Sequence, residues 1–495
     1  MKYDFKNSPL IIGLALSAVV VGVRLYFISI GATHVDDALI TYRYAENIAS
    51  GYGYVYNIGE RVLGTTNPLY TLILASLNLL GVSVYWASAI LGLVSSGLTG
   101  LVLYLFGLKL KLGKMSAVAP ILYAIWPNAI NSDISGLETP LFTLATIAFF
   151  YFVLTARYPL AILLAGLGTM LRPEGIFLIG LYVLFRLVTD RNNLWKEISI
   201  CAVIILPWVI FAWMYFGSPI PNSIPAKLAL YLWSDTGSFW ERLVRLWNLN
   251  DIAGWITVAG ALGGLIYTLI RVYWGWLEAL FVLALTFVLA SAHTNLFFWY
   301  KSPLNPLWVL FLGAGLAGLV RIGLILTNRA FVVKGIVAGI VIAISLQIYP
   351  KLSQIAFYQK IQTQIYLDQH IAAGKYLANN AACDDVVIAE DIGYLGYHFR
   401  GRIIDRDGLV SPEVIEYNRK REYARFIRDQ LLENPGHWLF ISNLTPSTGE
   451  ITKSGILDRH YELLRRFDFA GNDSYLLYRA KVEINLPDSA ADKTG

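Results

Sequence analysis

From Ser8 to Ile30 the chain carries a single charged residue, Arg24, and apolar runs of this kind recur as far as Ile348. A run of about 20 apolar residues crosses the hydrocarbon core as a helix. Lipid offers no partner to backbone N–H and C=O groups, so the crossing must satisfy them internally. Such runs lie at Ser8–Ile30, Val82–Leu108, Met115–Ile130, Leu137–Thr155, Leu160–Leu171, Gly175–Val188, Ile198–Phe216, Ile252–Ile270, Tyr273–Ala292, Leu304–Val320 and Val333–Ile348. That gives about eleven spans, two of them short. The balance of 56% hydrophobic to 15% charged residues agrees, since soluble domains are nearer a quarter charged. It excludes disorder, collagen, coiled coil and a water-soluble enzyme. The fold class expected is a polytopic α-helical membrane protein. The first run is too long for a signal-peptide core and has no small-residue cleavage site, so it is read as a retained anchor.

Charge sets the expected orientation. Lys2, Lys6, the Lys109–Lys114 cluster, Arg157, Arg186, Arg191, Lys196, Arg271, Arg321, Arg329 and Lys334 fall on one side. The other side has longer loops and fewer basic residues: Arg43, Arg61, Arg172, Lys227, Arg242, Arg245 and Lys301. The positive-inside rule makes the first side cytoplasmic. The apolar stretch 67–81 is left out of the spans. Asn67 and Pro68 look like an N-cap and first helical position, and the stretch suits a helix lying in the outer interface. The N-terminus is then cytoplasmic, and everything from about Tyr349 onward is extracytoplasmic. The net charge of +5 gives no reason to expect nucleic acid.

The division expected is a membrane module over 1–348, with its first external loop at 31–81, and an extracytoplasmic α/β domain over 349–495. In the tail the segments at 386–390, 402–408, 438–443 and 474–480 read as short strands, with helix between them as at Glu413–Glu433. The last dozen or so residues are polar, a composition that favours disorder. Cys201 sits in an apolar run and Cys383 in the polar tail, so no disulfide between them is expected.

Charge at mid-depth is scarce. Arg24, Glu138, Arg186 and Glu278 all fall near span ends. An ion-coupled transporter places carboxylates or broken helices at the midplane; here polar residues gather in the external loops. In the first of these, Asp36 and Asp37 follow the first span and open a short amphipathic helix, Ala38–Ser50. One reading is an N-cap and a dipole partner. The other is a general base, since a carboxylate at the lipid boundary is partly desolvated and binds protons more tightly. Both can hold at once. Arg43 lies within two helical turns of the pair, as an ion-pair partner or a phosphate ligand. The tyrosines at 42, 44, 52, 54 and 56 suit an interfacial aromatic belt or sugar stacking. Later external segments carry SGLETP at 135–140, LRPEG at 171–175 with Arg172 and Glu174, a proline-rich loop ending at Lys227, and HTNLFFWYKSPLNP with His293, Tyr300 and Lys301. Arg172, Lys227 and Lys301 are candidates to meet an anionic head group. Each also has a plain structural role open to it, as a cap, a turn or a snorkelling side chain.

The loop HVDDALITYRYAEN, followed by GYGYVYNIGERV and TTNPLY, resembles the GT-C superfamily of integral-membrane glycosyltransferases. More narrowly it is similar to the group containing the terminal arabinofuranosyltransferases of mycobacterial cell walls. SGLETPLF, LRPEG, GSPIPNSIPAK and the tail's EDIGYLGY and IIDRDGLVSP resemble the same group, so the likeness runs from Asp36 to about Pro412. It implies a polyprenyl-phosphate sugar as donor, inversion on the outer face, and an aspartate of the first external loop as base. Asp36 holds the leading position of that loop, with Asp37 beside it. The likeness speaks to fold and not to sugar, because the lysine, asparagine and isoleucine content is unlike a GC-rich actinobacterial protein.

The resulting expectation is a GT-C-like transferase acting on a cell-envelope glycan, lipid or protein acceptor. Asp36 or Asp37 would serve as base, and Arg43, Arg172, Glu174, Lys227, His293, Tyr300 and Lys301 as donor or substrate contacts. No cofactor is required. No dense ligand cluster calls for a metal, though a divalent cation can share the role of the basic clamp. The alternative is a transporter or flippase of lipid-linked sugars, which leaves the paired outer aspartates unexplained. A non-catalytic envelope scaffold is the third reading.

Overall fold

The computed structural model describes residues 9–272, 275–292, 294–327, 330–468 and 474–481. The chain forms two compact units. The first comprises Met1–Ala38, Thr65–Pro219 and Asp235–Thr363; the second comprises Leu39–Gly64, Ile220–Ser234 and Gln364–Gly495.

The first unit is helical. Among the described residues, 6 helical stretches are long and apolar enough to cross a membrane by length and composition: Pro9–Ser29, Val84–Lys109, Leu194–Phe216, Ile252–Arg271, Phe298–Ile325 and the one beginning at Phe331. Shorter apolar helices are Pro68–Leu79, Gly113–Ile125, Thr139–Leu154, Tyr158–Leu171 and Trp276–Ser291. The run read as one span at Met115–Ile130 is interrupted. Its helix ends at Ile125, Trp126 is extended, and a new short helix starts at Pro127. Proline drives the residue before it out of the α region, which is why the break falls there. The run read as ending at Ile348 continues as one helix, Ala330–Ile365, with Pro350 inside it.

Two buried ion pairs stand out in this unit. Arg24 of the first helix is fully buried. Its Nε donates to Asp133 Oδ2 at 3.0 Å, and its other nitrogens donate to the carbonyls of Tyr123 and Ala124. The Tyr123 hydroxyl donates to the same carboxylate at 3.1 Å. Arg186 and Glu197 make a second such pair at 2.8 Å. Lipid-facing helices tolerate these charges only because each has its counter-charge and hydrogen bonds within the protein.

The second unit is built on a five-stranded sheet of order β2-β1-β3-β5-β4. The strands are β1 Val386–Ala389, β2 Arg402–Asp405, β3 Trp438–Ser442, β4 Tyr461–Asp468 and β5 Ser474–Ala480. β1 runs parallel to both β2 and β3, while β3–β5 and β5–β4 are antiparallel. β1 and β3 are buried along their whole length, as central strands covered on both faces must be. Helix Tyr423–Glu433 lays Phe426, Ile427 and Leu431 on Ile388, Leu439 and Ile441. Four of the strands lie where the sequence places them. The segment Glu413–Glu433, read as one helix, is divided at Arg421, whose φ of 56° ends the helix Ile415–Lys420. The glycines of EDIGYLGY do not make turns. They lie within helix Ile392–Phe399, where Gly396 lets Arg43 and Tyr56 approach its backbone.

Candidate active site

Asp36 and Asp37 are the first two residues of helix Asp36–Ala49, half-buried in its first turn, where a carboxylate is favoured by the helix dipole. The backbone just ahead of them is fixed. The Val35 N–H donates to the Ser135 carbonyl at 2.9 Å. The His34 ring stacks on Tyr85 with centroids 4.0 Å apart. Burial pushes His34 down to about 3, so it packs as a neutral ring and is no base at ordinary pH.

Ser135 begins the SGLETP segment, and that segment is clamped in turn. The Gly136 carbonyl accepts from the Tyr70 hydroxyl at 3.0 Å and the Ser88 hydroxyl at 2.8 Å. Two residues on, buried Glu138 takes Arg172 Nη1 on Oε1 at 2.7 Å and Asn67 Nδ2 on Oε2 at 2.6 Å. Arg172 Nη2 donates to Glu174 Oε1 at 2.9 Å, and its guanidinium lies 5.6 Å from the centre of the Tyr300 ring. Asn67 therefore does not cap helix Pro68–Leu79 with its side chain, as the sequence suggested; the amide is committed to Glu138.

The LRPEG motif supplies the bend that makes this possible. Helix Tyr158–Leu171 ends at Arg172, which is extended, and Pro173–Gly175 forms a single tight turn before helix Ile176–Thr189. At Gly175 a Cβ would stand 2.3 Å from the Gly168 backbone, so only glycine permits the return. Segments far apart in sequence, those of Asp36, Asn67, Glu138, Arg172 and Tyr300, are thereby joined by direct contacts within the first unit. Arg172 faces two carboxylates, and its Nε, though buried, has no hydrogen-bond partner among the described residues. Its charge is already shared, which makes it a positioning group more than an open phosphate clamp.

Other expected contacts fall elsewhere. Arg43 is not a phosphate ligand. It is 2% exposed in the second unit, where Nε donates to Tyr56 O at 2.9 Å, Nη1 to Gly396 O at 2.9 Å and Nη2 to Gly401 O at 2.6 Å. The guanidinium lies 4.1 Å from the centre of the Tyr56 ring. Arg43 ties the first loop to the tail domain, using the fixed fork of donors that lysine lacks. Tyr42, Tyr44, Tyr54 and Tyr56 are buried rather than arrayed at a lipid interface, while Tyr52 is exposed. The packing is local: the Tyr44 hydroxyl donates to Val62 O at 2.7 Å and the Tyr56 hydroxyl to Ile392 O at 2.7 Å. Lys227 is half-buried in helix Ser223–Tyr231, also in the second unit. Lys301 is in the first unit and lines a cavity of about 460 Å³. His293 lies outside the described residues. Among the described residues no group of three or more His, Cys, Asp or Glu side chains is placed to hold a metal ion.

Sequence reasoning missed the pairing of Glu138 with Arg172 and Asn67. The only available signal was a lone acidic residue just ahead of an apolar run, a pattern that also describes an ordinary helix start.

A domain family of unknown function, DUF8728, matches residues 354–480. The terminal β-(1→2)-arabinofuranosyltransferase of Mycobacterium tuberculosis is 28% identical over 241 residues, 43% of this chain. The match spans only 37% of that relative's length. Among solved structures, ArnT from Cupriavidus metallidurans bound to undecaprenyl phosphate superposes on 94% of this chain and is itself covered to 97%. The TM-score is 0.56 at 12% identity. The Archaeoglobus fulgidus oligosaccharyltransferase, tethered to an acceptor peptide, superposes on 94% of this chain and 74% of its own, with TM-score 0.58 at 13% identity. At such identities the likeness shows the fold, and that fold is the one shared by GT-C glycosyltransferases.

Proposed function

We propose that this chain is a membrane glycosyltransferase that moves a sugar, with inversion, from a polyprenyl-phosphate donor to a cell-envelope glycan, lipid or protein acceptor. The observation that carries the reading is the Val35–Ser135 hydrogen bond. It brings the segment of the paired aspartates to the SGLETP segment, whose Glu138 pairs with Arg172 and through it with Glu174; the proteins that share the fold include ArnT, solved with undecaprenyl phosphate.

In the proposed step Asp36, with Asp37 as the fallback, takes the proton of an acceptor hydroxyl. The oxygen attacks the anomeric carbon through an oxocarbenium-like transition state, and the bond to the lipid phosphate breaks. The donor is a phosphate diester and the departing polyprenyl phosphate, a monoester, leaves readily, so positive charge suffices in place of an acid, and preorganised charge of this kind can dominate catalysis. Within the first unit Lys301 is the candidate cation, with Arg172 and Glu138 fixing the wall of the site. Residues 1–348 form the membrane module in this reading, with the N-terminus cytoplasmic and the tail extracytoplasmic.

The test is to incubate the purified protein with a panel of polyprenyl-phosphate sugars and an acceptor extract. Release of free polyprenyl phosphate supports a transferase. Movement of intact donor across a bilayer without cleavage supports the flippase instead.

A further inference from the structure

Helix Ser223–Tyr231 of the second unit has two unlike faces. Ser223, Ala226 and Ala229 are buried, and these small side chains let the helix lie close against helix Ile415–Lys420 of the same unit. The other face is apolar and open. Ile224, Leu228 and Leu232 follow one another at a spacing of four, which sets them in a single row, and Ile220 extends the row ahead of the helix. All four are exposed, by 40–61%. A row of large aliphatic side chains turned to water is unfavourable, and such a patch marks a surface that something covers.

The row is a fixed feature because both ends of the helix are tied down. The Asn222 N–H donates to the Leu63 carbonyl at 2.7 Å, and Asn222 Nδ2 donates to the carbonyls of Gly408 at 2.7 Å and Leu409 at 3.0 Å. Beyond the far end, Trp233 Nε1 donates to the Arg419 carbonyl at 3.0 Å while most of the residue stays exposed. All of these partners belong to the second unit.

The place of the row in the chain says what covers it. Only residues 217–222 separate the helix from helix Leu194–Phe216, which is long and apolar enough to cross a membrane. From Phe216 to Ser223 an extended chain reaches at most about 25 Å. The row therefore starts near the bilayer surface at which that helix emerges. Its flanks agree. An indole with one polar edge is favoured at the lipid–water boundary, and Trp233 stands at the end of the row. Lys227 is half-buried between the two faces, with a stem long enough to run along lipid and carry its ammonium to the head groups.

We infer that helix Ser223–Tyr231 lies in the membrane interface and seats the second unit on the bilayer. Ile220, Ile224, Leu228 and Leu232 dip into the boundary between head groups and acyl chains. With 9 residues the helix is too short to span. The inference does not depend on the transferase reading, since the contact needs no turnover.

Fluorescence quenching on the full-length protein in phosphatidylcholine nanodiscs tests it. Cys383→Ser removes the exposed native thiol, and Cys201 is buried. In that background Ile224→Cys and Leu228→Cys each carry a bimane label, at positions exposed enough that the label displaces no packing. A helix lying about 5–10 Å into the boundary should lose at least half its emission, at both positions, to a lipid spin-labelled just below its head group. A lipid labelled near its chain end should quench less, and aqueous iodide should quench far less than it quenches the free dye. Iodide quenching equal to that of the free dye, with no effect of either lipid, overturns the inference. Protection from iodide and from both lipids, the mark of a protein partner or a second copy on this face, overturns it as well. Stronger quenching by the chain-end label, the depth of a span, does the same. A shallow-lipid signal abolished by adding a short-chain prenyl phosphate makes the face a substrate groove and likewise overturns the inference.

Discussion

Replacing Arg172 with methionine keeps a long unbranched side chain but removes the cation that two carboxylates face. Glu138 is buried, with a side chain 4% exposed, while the Glu174 side chain is 19% exposed and retains some hydration. Breaking a buried pair by removing one partner costs about 3–5 kcal/mol. The lower end, about 3 kcal/mol, is expected here because Glu174 is reachable by water. Glu138→Gln is milder. Its amide oxygen still accepts from Asn67, and the loss is that of a charge-assisted bond to Arg172, about 1.5–3 kcal/mol. The double variant Glu138→Gln/Arg172→Met removes the cation together with the carboxylate it chiefly neutralises. It should be less destabilised than the sum of the singles, by a coupling of about 1–3 kcal/mol. The assay is reversible denaturation of the protein in mixed micelles, followed by tryptophan fluorescence, on all four corners of the cycle. Single-variant effects that simply add, within about 0.5 kcal/mol, would refute the idea that Glu138 and Arg172 form one electrostatic unit.

Arg43→Lys should fail to rescue the packing that Arg43→Met destroys, because one ammonium cannot reach the carbonyls of Tyr56, Gly396 and Gly401 together; limited proteolysis of the tail in the full chain checks this, and a lysine variant as resistant as wild type contradicts it. A pH effect is expected at His437, whose ring nitrogens contact Asn434 O at 2.9 Å and the Tyr461 hydroxyl at 2.7 Å. Burial holds it down, from 6.5 to about 4. The unfolded chain therefore takes up a proton between these values that the folded chain does not, so stability is complete above pH 6.5 and declines toward pH 4, by up to about 3 kcal/mol. Tail protection measured by hydrogen exchange should follow that slope in wild type and flatten in His437→Gln.

The membrane architecture was legible because lipid imposes a simple rule on length and polarity. Helix position was readable wherever a run was long, and misread at Trp126 and Ile348, where a proline breaks one helix and is absorbed by another. Short strands were found from their β-branched cores, but β4 was missed: its pattern LLRRF lies on an exposed edge and does not alternate cleanly. The site was legible as a set of polar segments, not as contacts. Arg43 looked like a ligand because two of its partners are backbone carbonyls of residues more than 300 positions away, and carbonyls leave no mark in a sequence.

The proposed base, Asp36, is the most direct point of attack. Asp36→Asn preserves size and hydrogen bonding at the first turn of helix Asp36–Ala49 but abolishes basicity. The measurement is the rate of sugar transfer from a polyprenyl-phosphate donor, alongside donor binding, for wild type, Asp36→Asn and Asp37→Asn. The Asp36 variant should fold, bind donor as wild type does, and transfer about 10²–10⁴-fold more slowly. Near wild-type transfer by both asparagine variants would contradict the account, reducing the pair to carboxylates that serve only the helix dipole.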